Sequence, residues 1–139
     1  MITIGRTDDL DACLTIRRAV FVEEQNVPEA LEHDGHDATA VHLLASEAGR
    51  PVGTARLLIR GNTGKIGRVA VLADRRGQGL GAALMRAALD ELRAIPGVKL
   101  ARLGAQTHAL AFYEKLGFTA SGPVYDDAGI PHRDMSRPL

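Results

Sequence analysis

The sequence is short of several things. It has one cysteine, Cys13, in 139 residues, which excludes an internal disulfide and a cysteine-rich zinc site. It has no surplus charge: 17 Lys and Arg stand against 17 Asp and Glu. A general electrostatic nucleic-acid binder carries a basic excess, so no nucleic-acid partner is expected. No apolar run approaches the ~20 residues needed to cross a bilayer, so no membrane partner is expected either. Internal repeats, linkers and low-complexity segments are also missing. The opening MITIGRTDDLD is acidic and has no signal-peptide core, which makes a cytoplasmic location the expectation. What is present is ordinary globular composition, 45% hydrophobic and 24% charged. The length suits a single domain over 1–139, large enough to bury a core without disulfide or metal.

Ile2 to Ile4 reads as a short strand, and Thr7 or Asp8 is placed to cap the helix that follows. Leu10, Cys13, Leu14, Ile16 and Val20 recur at helical spacing. Cys13 thus belongs to an apolar face, and nothing near it would activate the thiol. Residues 23–37 (EEQNVPEALEHDGHD) hold six acids and no Lys or Arg. They read as a loop or short helix with a strongly negative local field. His33, Asp34, His36 and Asp37 fit no known metal-ligand spacing, and no metal is expected. Strands over 41–46, 52–59 and 65–71, separated by Ala48-Gly49-Arg50-Pro51 and Gly61-Asn62-Thr63-Gly64, make an antiparallel meander. A helix then carries Leu84, Met85, Ala88, Leu89 and Leu92 on one face and stops at Pro96-Gly97. A strand over 99–105 follows. Thr107 is the expected cap of a helix with Ala109, Phe112, Tyr113 and Leu116 as its apolar stripe, ended by Gly117. Residues 118–121 and 132–136 are the expected last strands.

The most informative stretch is Arg75-Arg76-Gly77-Gln78-Gly79-Leu80-Gly81. Glycines at the entry to a helix let backbone amides approach an anion, and the helix start adds about half a positive charge. Two arginines reinforce this, so the stretch reads as a phosphate or pyrophosphate site. A dinucleotide fingerprint is rejected. It needs a strand running straight into the first glycine and an acid about 20 residues on. Here five residues separate Val71 from Gly77, and no acid lies near Leu100. A Walker A loop is rejected because no Gly-Lys-Ser/Thr follows any glycine loop.

Arg76 to Gly81 resembles the Q/R-x-x-G-x-G/A acyl-CoA loop of the GNAT superfamily of N-acyltransferases. Gly67-Arg68-Val69-Ala70-Val71 resembles that family's fourth strand, and Ala111 to Phe118 (AFYEKLGF) resembles its A-x-Y-x-x-x-G-F segment. FVEEQNVP and GPVYDDAGIPH are similar to the ElaA-type branch, and the C-terminal stretch is also similar to glyphosate N-acetyltransferase. The resemblance covers nearly the whole chain. It implies an α+β GNAT fold: a mixed, mostly antiparallel sheet splayed between strands four and five and flanked by about four helices. It also implies acetyl-CoA as co-substrate and transfer of the acetyl group to a primary amine of a small molecule or peptide, by direct attack. A non-catalytic acyl-CoA sensor on the same fold is the alternative, and a homodimer is possible.

On this resemblance, Arg75, Arg76, Gly77, Gln78, Gly79, Leu80 and Gly81 hold the pyrophosphate, and backbone groups of Val69, Ala70 and Val71 meet the pantetheine and the oxyanion. Tyr113 is the expected acid for the leaving thiolate, since a phenol near pKa ~10 is protonated at neutral pH. His132 is the expected base, because imidazole titrates near ~6.5; Glu23 or Glu24 acting through a water is the fallback. Arg68 is a candidate substrate-binding residue, or a partner for an acid in 23–37. His108 is expected to serve the start of its helix. The six acids of 23–37, if they stand at the entrance, would attract a cationic amine.

Overall fold

A computed structural model describes residues 1–139. Seven strands, β1 (Ile2–Thr7), β2 (Val41–Glu47), β3 (Arg50–Arg60), β4 (Thr63–Val71), β5 (Leu100–Gln106), β6 (Thr119–Asp127) and β7 (Ile130–Pro138), form one sheet. Their order is β1-β2-β3-β4-β5-β7-β6. Every neighbouring pair is antiparallel except β4 and β5. The helices are α1 (Leu10–Arg17), α2 (Glu29–Glu32), α3 (Leu80–Arg93) and α4 (Leu110–Glu114). α1 runs on into a π-helical stretch, Arg18–Glu24. This is the mixed, mostly antiparallel α+β architecture expected. No helix is long and apolar enough to cross a membrane.

Three local readings are corrected. The cap of α1 is Asp9, whose carboxylate accepts from the Ala12 amide at 3.1 Å; Thr7 instead accepts from the Asp9 amide. Thr107 caps no helix: Thr107–Ala109 is a 3₁₀ turn without a side-chain cap. The helix after it is only five residues long, and Phe112 of its expected stripe is exposed. The last two strands are longer than their apolar cores, because Ala128 and Gly129 (φ +54° and +81°) close a tight hairpin turn. Pairing there is set by the turn rather than by burial, so hydrophobic pattern alone underestimates it.

The sheet divides the core. On one face, Leu84, Met85, Ala88, Leu89 and Leu92 of α3 pack with Leu43, Leu57, Ile66, Ala101 and Leu103. On the other, Ile16 and Val20 meet Ala70. Cys13 is fully buried, and burial pushes its thiol pKa up. This is the inert core thiol expected from its spacing.

The site depends on how β4 meets β5. They pair only over Thr63↔Leu100, Gly64↔Ala101 and Lys65↔Arg102. Gly64 sits in that short contact, directly under Leu92, and a Cβ there would collide with both Leu92 methyl groups. Gly64→Ala should therefore destabilise by about 1–3 kcal/mol through overpacking. Urea unfolding checks this, and a midpoint equal to wild type would contradict it.

Candidate active site

Beyond Lys65 the two parallel strands part. The far edge of β4 over 66–71 has no strand partner, while β5 continues with β7 on its other side. The diverging edges open a slot whose free peptide groups can accept an extended chain as an added strand. β4 is also bulged here. Thr54 faces Ala70 and Arg56 faces Gly67, so Arg68 and Val69 together oppose Ala55. Arg68 has φ +50°, a strained conformation for a side-chain-bearing residue. A bulge breaks the ladder and re-aims the chain, which here turns the backbone at 68–69 toward the slot.

A cavity of about 700 Å³ occupies the splay and the adjoining sheet face. Its floor includes Arg56, Leu58, Lys65, Gly67, Val69, Gly104 and Gln106. One wall comes from Phe21, Gln25 and the 27–36 segment, and the other from Tyr113, Tyr125, Ile130 and His132. Tyr113, His132, Arg68 and Val69 are therefore brought to one cavity. Ala70, Val71, Glu23, Glu24 and the 75–81 loop do not line it.

Tyr113 packs edge-on against Phe112 and Phe118. Burial raises its pKa, so the phenol carries its proton at neutral pH. His132 is 9% exposed. Its Nδ1 lies 2.7 Å from the Ile130 carbonyl. A carbonyl only accepts, so Nδ1 carries the hydrogen and Nε2 keeps the lone pair. The ring stacks on Tyr125 with centroids 5.9 Å apart. The Tyr125 hydroxyl donates to Asp134 at 2.8 Å. Burial and that carboxylate push its pKa up to about 12. Gly104 leaves the space for this: a Cβ there would lie 2.5 Å from the Tyr125 oxygen. Gln106, at the end of β5, donates to Gln25 at 2.9 Å, and its carbonyl oxygen lies 2.7 Å from Nε2 of His108. Thus His108 holds Gln106, and Gln106 ties the splayed end of β5 to the end of the π-helical stretch.

The glycine loop behaves as its composition implies. Gly77 and Gly79 have φ +79° and +78°. No side chain caps α3. The amides of residues 77–82 consequently have no partner within the protein. The arginines are more committed. Arg76 forms a bidentate pair with Glu24 at 2.8 and 2.9 Å and donates to the Val71 carbonyl. Arg75 pairs with Glu47 and Asp74.

The acidic segment departs from expectation. Five of its six carboxylates are ion-paired. Glu24 holds Arg76, Glu29 holds Arg18, and the other three form a network. Buried Arg17 makes a bidentate contact with Glu32 at 2.8 and 2.6 Å and reaches Asp37 at 2.7 Å. Buried Arg56 makes a bidentate contact with Asp34 and also reaches Asp37. Arg68 reaches Asp34 and both the carboxylate and the carbonyl of Glu32. Three arginines balance three acids, so the strong negative field expected of 23–37 is largely cancelled. Of Arg68's two expected roles, the structure shows the one toward this segment. Sequence reasoning missed Arg17 and Arg56. The signal was available: Arg17 falls at i+4 from Cys13 on the buried face of α1, and Arg56 interrupts an apolar strand. Buried charges at such positions require partners.

With this geometry described, comparison with known proteins identifies the class. An acetyltransferase (GNAT) domain family matches residues 8–139. ElaA of Escherichia coli (strain K12) is 38% identical over 133 residues, covering 92% of this chain and 86% of ElaA. The crystal structure of Escherichia coli ElaA superposes with a TM-score of 0.88 at 34% identity, covering 99% of both chains. An acyl-CoA N-acyltransferase from Pseudomonas aeruginosa gives 0.87 at 36% identity, covering 99% of this chain and 98% of that one. YjcF of Bacillus subtilis (strain 168), an uncharacterized N-acetyltransferase, is 36% identical over 131 residues, 94% of this chain and 93% of its own. The chain belongs to the GNAT acetyltransferase family.

Two predictions follow from the ionic network. Arg17→Met leaves buried Glu32 without its bidentate partner and half-buried Asp37 with Arg56 alone, and should cost about 3–5 kcal/mol in urea unfolding; a loss below 1 kcal/mol would contradict the network's role. The Arg56 hydrogen bond lowers the Asp34 pKa, and Arg17 with Arg56 outweighs burial to lower that of Asp37. Depressed carboxylates stabilise the fold above their unfolded pKa of ~3.9 and lose that contribution as pH falls through the folded value. Stability should hold from neutrality to about pH 5 and fall steeply below pH ~4. Asp34→Asn should flatten that acid limb, and an identical slope would count against the assignment.

Proposed function

We propose that this protein is an acetyl-CoA-dependent N-acyltransferase that moves an acetyl group to a primary amine by direct attack. The observation that carries the reading is the slot between β4 and β5, with its unpaired strand edge leading toward the uncapped start of α3. An extended pantetheine arm bearing two amides suits the edge. A diphosphate suits the free amides of 77–82. Arg76 would exchange Glu24 for phosphate, while Arg75, already paired, would contribute less. The names of the matched relatives, an acyl-CoA N-acyltransferase and an N-acetyltransferase among them, support the same reading.

In the proposed reaction, the lone pair on His132 Nε2 takes a proton from the acceptor amine, directly or through a water. The amine nitrogen attacks the thioester carbonyl. A backbone amide of the 69–71 segment stabilises the oxyanion, as a fixed dipole that needs no reorganisation. The carbon–sulfur bond then breaks, Tyr113 donates its proton to the thiolate, and the attacking nitrogen gives up its remaining excess proton through water to the resulting phenolate. Tyr125, held by Asp134, orients the imidazole. Glu24 is a weaker base candidate because Arg76 holds both its oxygens; Glu23 has no such partner.

Acetyl-CoA should raise the melting temperature by several degrees at saturation, as any native-state ligand does. No shift at millimolar concentration would remove the coenzyme site. In a thiol-release assay over a panel of amines, Tyr113→Phe should lower kcat about 100-fold or more with little change in the KM for acetyl-CoA. An unchanged kcat would remove Tyr113 as the acid. His132→Ala should abolish the acid limb of the kcat/KM profile; an unaltered profile would move the base to Glu23. Coenzyme binding without thiol release from any amine would favour a non-catalytic sensor.

A further inference from the structure

We infer that the acceptor is zwitterionic: a primary amine on a short chain whose far end is a carboxylate or a comparable anion. The inference rests on the acyltransfer reading above and deepens it by naming the substrate class. It comes from asking which charges around the cavity are already spent.

The ionised side chains lining the cavity are Glu32, Asp34 and Asp127 on one side of the balance and Arg56, Arg60, Lys65 and Arg68 on the other. Glu32, Asp34, Arg56 and Arg68 belong to the closed network that Arg17 and Asp37 complete. That network is neutral and each of its charges is ion-paired within it, so it has no net charge left for a ligand, although Arg56 Nε has no hydrogen-bond partner. Three groups remain. Asp127, Arg60 and Lys65 make no ion pair and no side-chain hydrogen bond. The 23–37 acids, which in sequence suggest a cationic amine, are therefore largely committed to arginines.

The three unspent charges are separated along the cavity. Asp127 pairs with Ile130 at the end of the β6–β7 hairpin, two residues beyond the Tyr125↔His132 pair. It stands at the end where the proposed base lies. Lys65 is the last β4 residue paired with β5, at the closed end of the splay. Leu58 lies directly across from Lys65, and Arg60 is two residues further along β3 on the same face. At ~3.3 Å per strand residue, Lys65 sits roughly 13 Å back from Val69. The floor between the two ends is Gly67 and Leu58, with Arg56 across from Gly67 already committed to Asp34 and Asp37.

This polarity matches one kind of molecule. An amine at the His132 end is near the unspent acid. An anion at the far end reaches Lys65 and Arg60, and a short aliphatic chain crosses Leu58. A diamine would bring its second ammonium against two cations, a like-charge contact that costs affinity. A plain alkylamine would leave both cations unanswered.

The test compares kcat/KM for thiol release with three acceptors of matched chain length, from ethyl to hexyl: the alkylamine, the α,ω-diamine and the ω-amino carboxylate. At the best chain length the amino carboxylate should exceed the alkylamine about tenfold, with the diamine slowest. The double variant Lys65→Glu, Arg60→Glu changes only exposed side chains, and its fold is checked by the acetyl-CoA thermal shift. It should invert the order of amino carboxylate and diamine. Turnover with no preference, a preference for the diamine, or an order unchanged in the double variant would overturn the zwitterion and leave acyl transfer standing. No thiol from any acceptor, with acetyl-CoA still bound, would overturn acyl transfer and the zwitterion with it.

Discussion

The structure depends on a parallel contact that is only three residue pairs long. β4 and β5 are joined at Thr63–Lys65 and then separate. Gly64 permits the contact by letting Leu92 of α3 lie against its backbone. The separation leaves the β5-facing peptide groups of 66–71 without a strand partner, although the other edge of β4 pairs with β3. Unpaired backbone inside a sheet is costly unless something else satisfies it. The bulge at Arg68 and the bridge from Gln106 to Gln25 both lie along this gap.

The ionic network performs a second structural task. The 27–36 wall of the cavity has only a four-residue helix, α2, and little apolar material to anchor it. It is fixed to α1 and the sheet by Arg17, Arg56 and Arg68. Because the arginines and acids match one for one, the wall is close to electrically neutral. Such a wall leaves the few unpaired charges elsewhere in the cavity as the uncommitted ones, as the zwitterion proposal requires. Fixing one wall by ion pairs and leaving the opposite end with free cations are two consequences of one charge distribution.

Much of this was legible in the residues. The turn chemistry at 48–51 and 61–64 fixes the meander, the spacing of Leu84 to Leu92 fixes α3, and the glycines of 77–81 mark an anion-binding helix start. Local signals of this kind need no knowledge of the rest of the chain. Three features were not legible, two of them because a distant partner decides them. The acids of 23–37 look like a negative patch until Arg56 and Arg68, about twenty or more residues away in sequence, are placed against them. The π-helical stretch Arg18–Glu24 has no distinctive spacing. Tyr125 becomes relevant to His132 only through hairpin register, with Gly104 of another strand making room for its hydroxyl.

The central claim is that the open edge of β4 and the uncapped start of α3 receive one extended coenzyme. Amide hydrogen exchange, followed residue by residue with and without CoA, tests it most directly. The account predicts that CoA slows exchange in two segments at once, 66–71 and 77–82, while β1 and β2 stay unchanged. Protection limited to the loop, with the β4 amides exchanging as in the free protein, would contradict it.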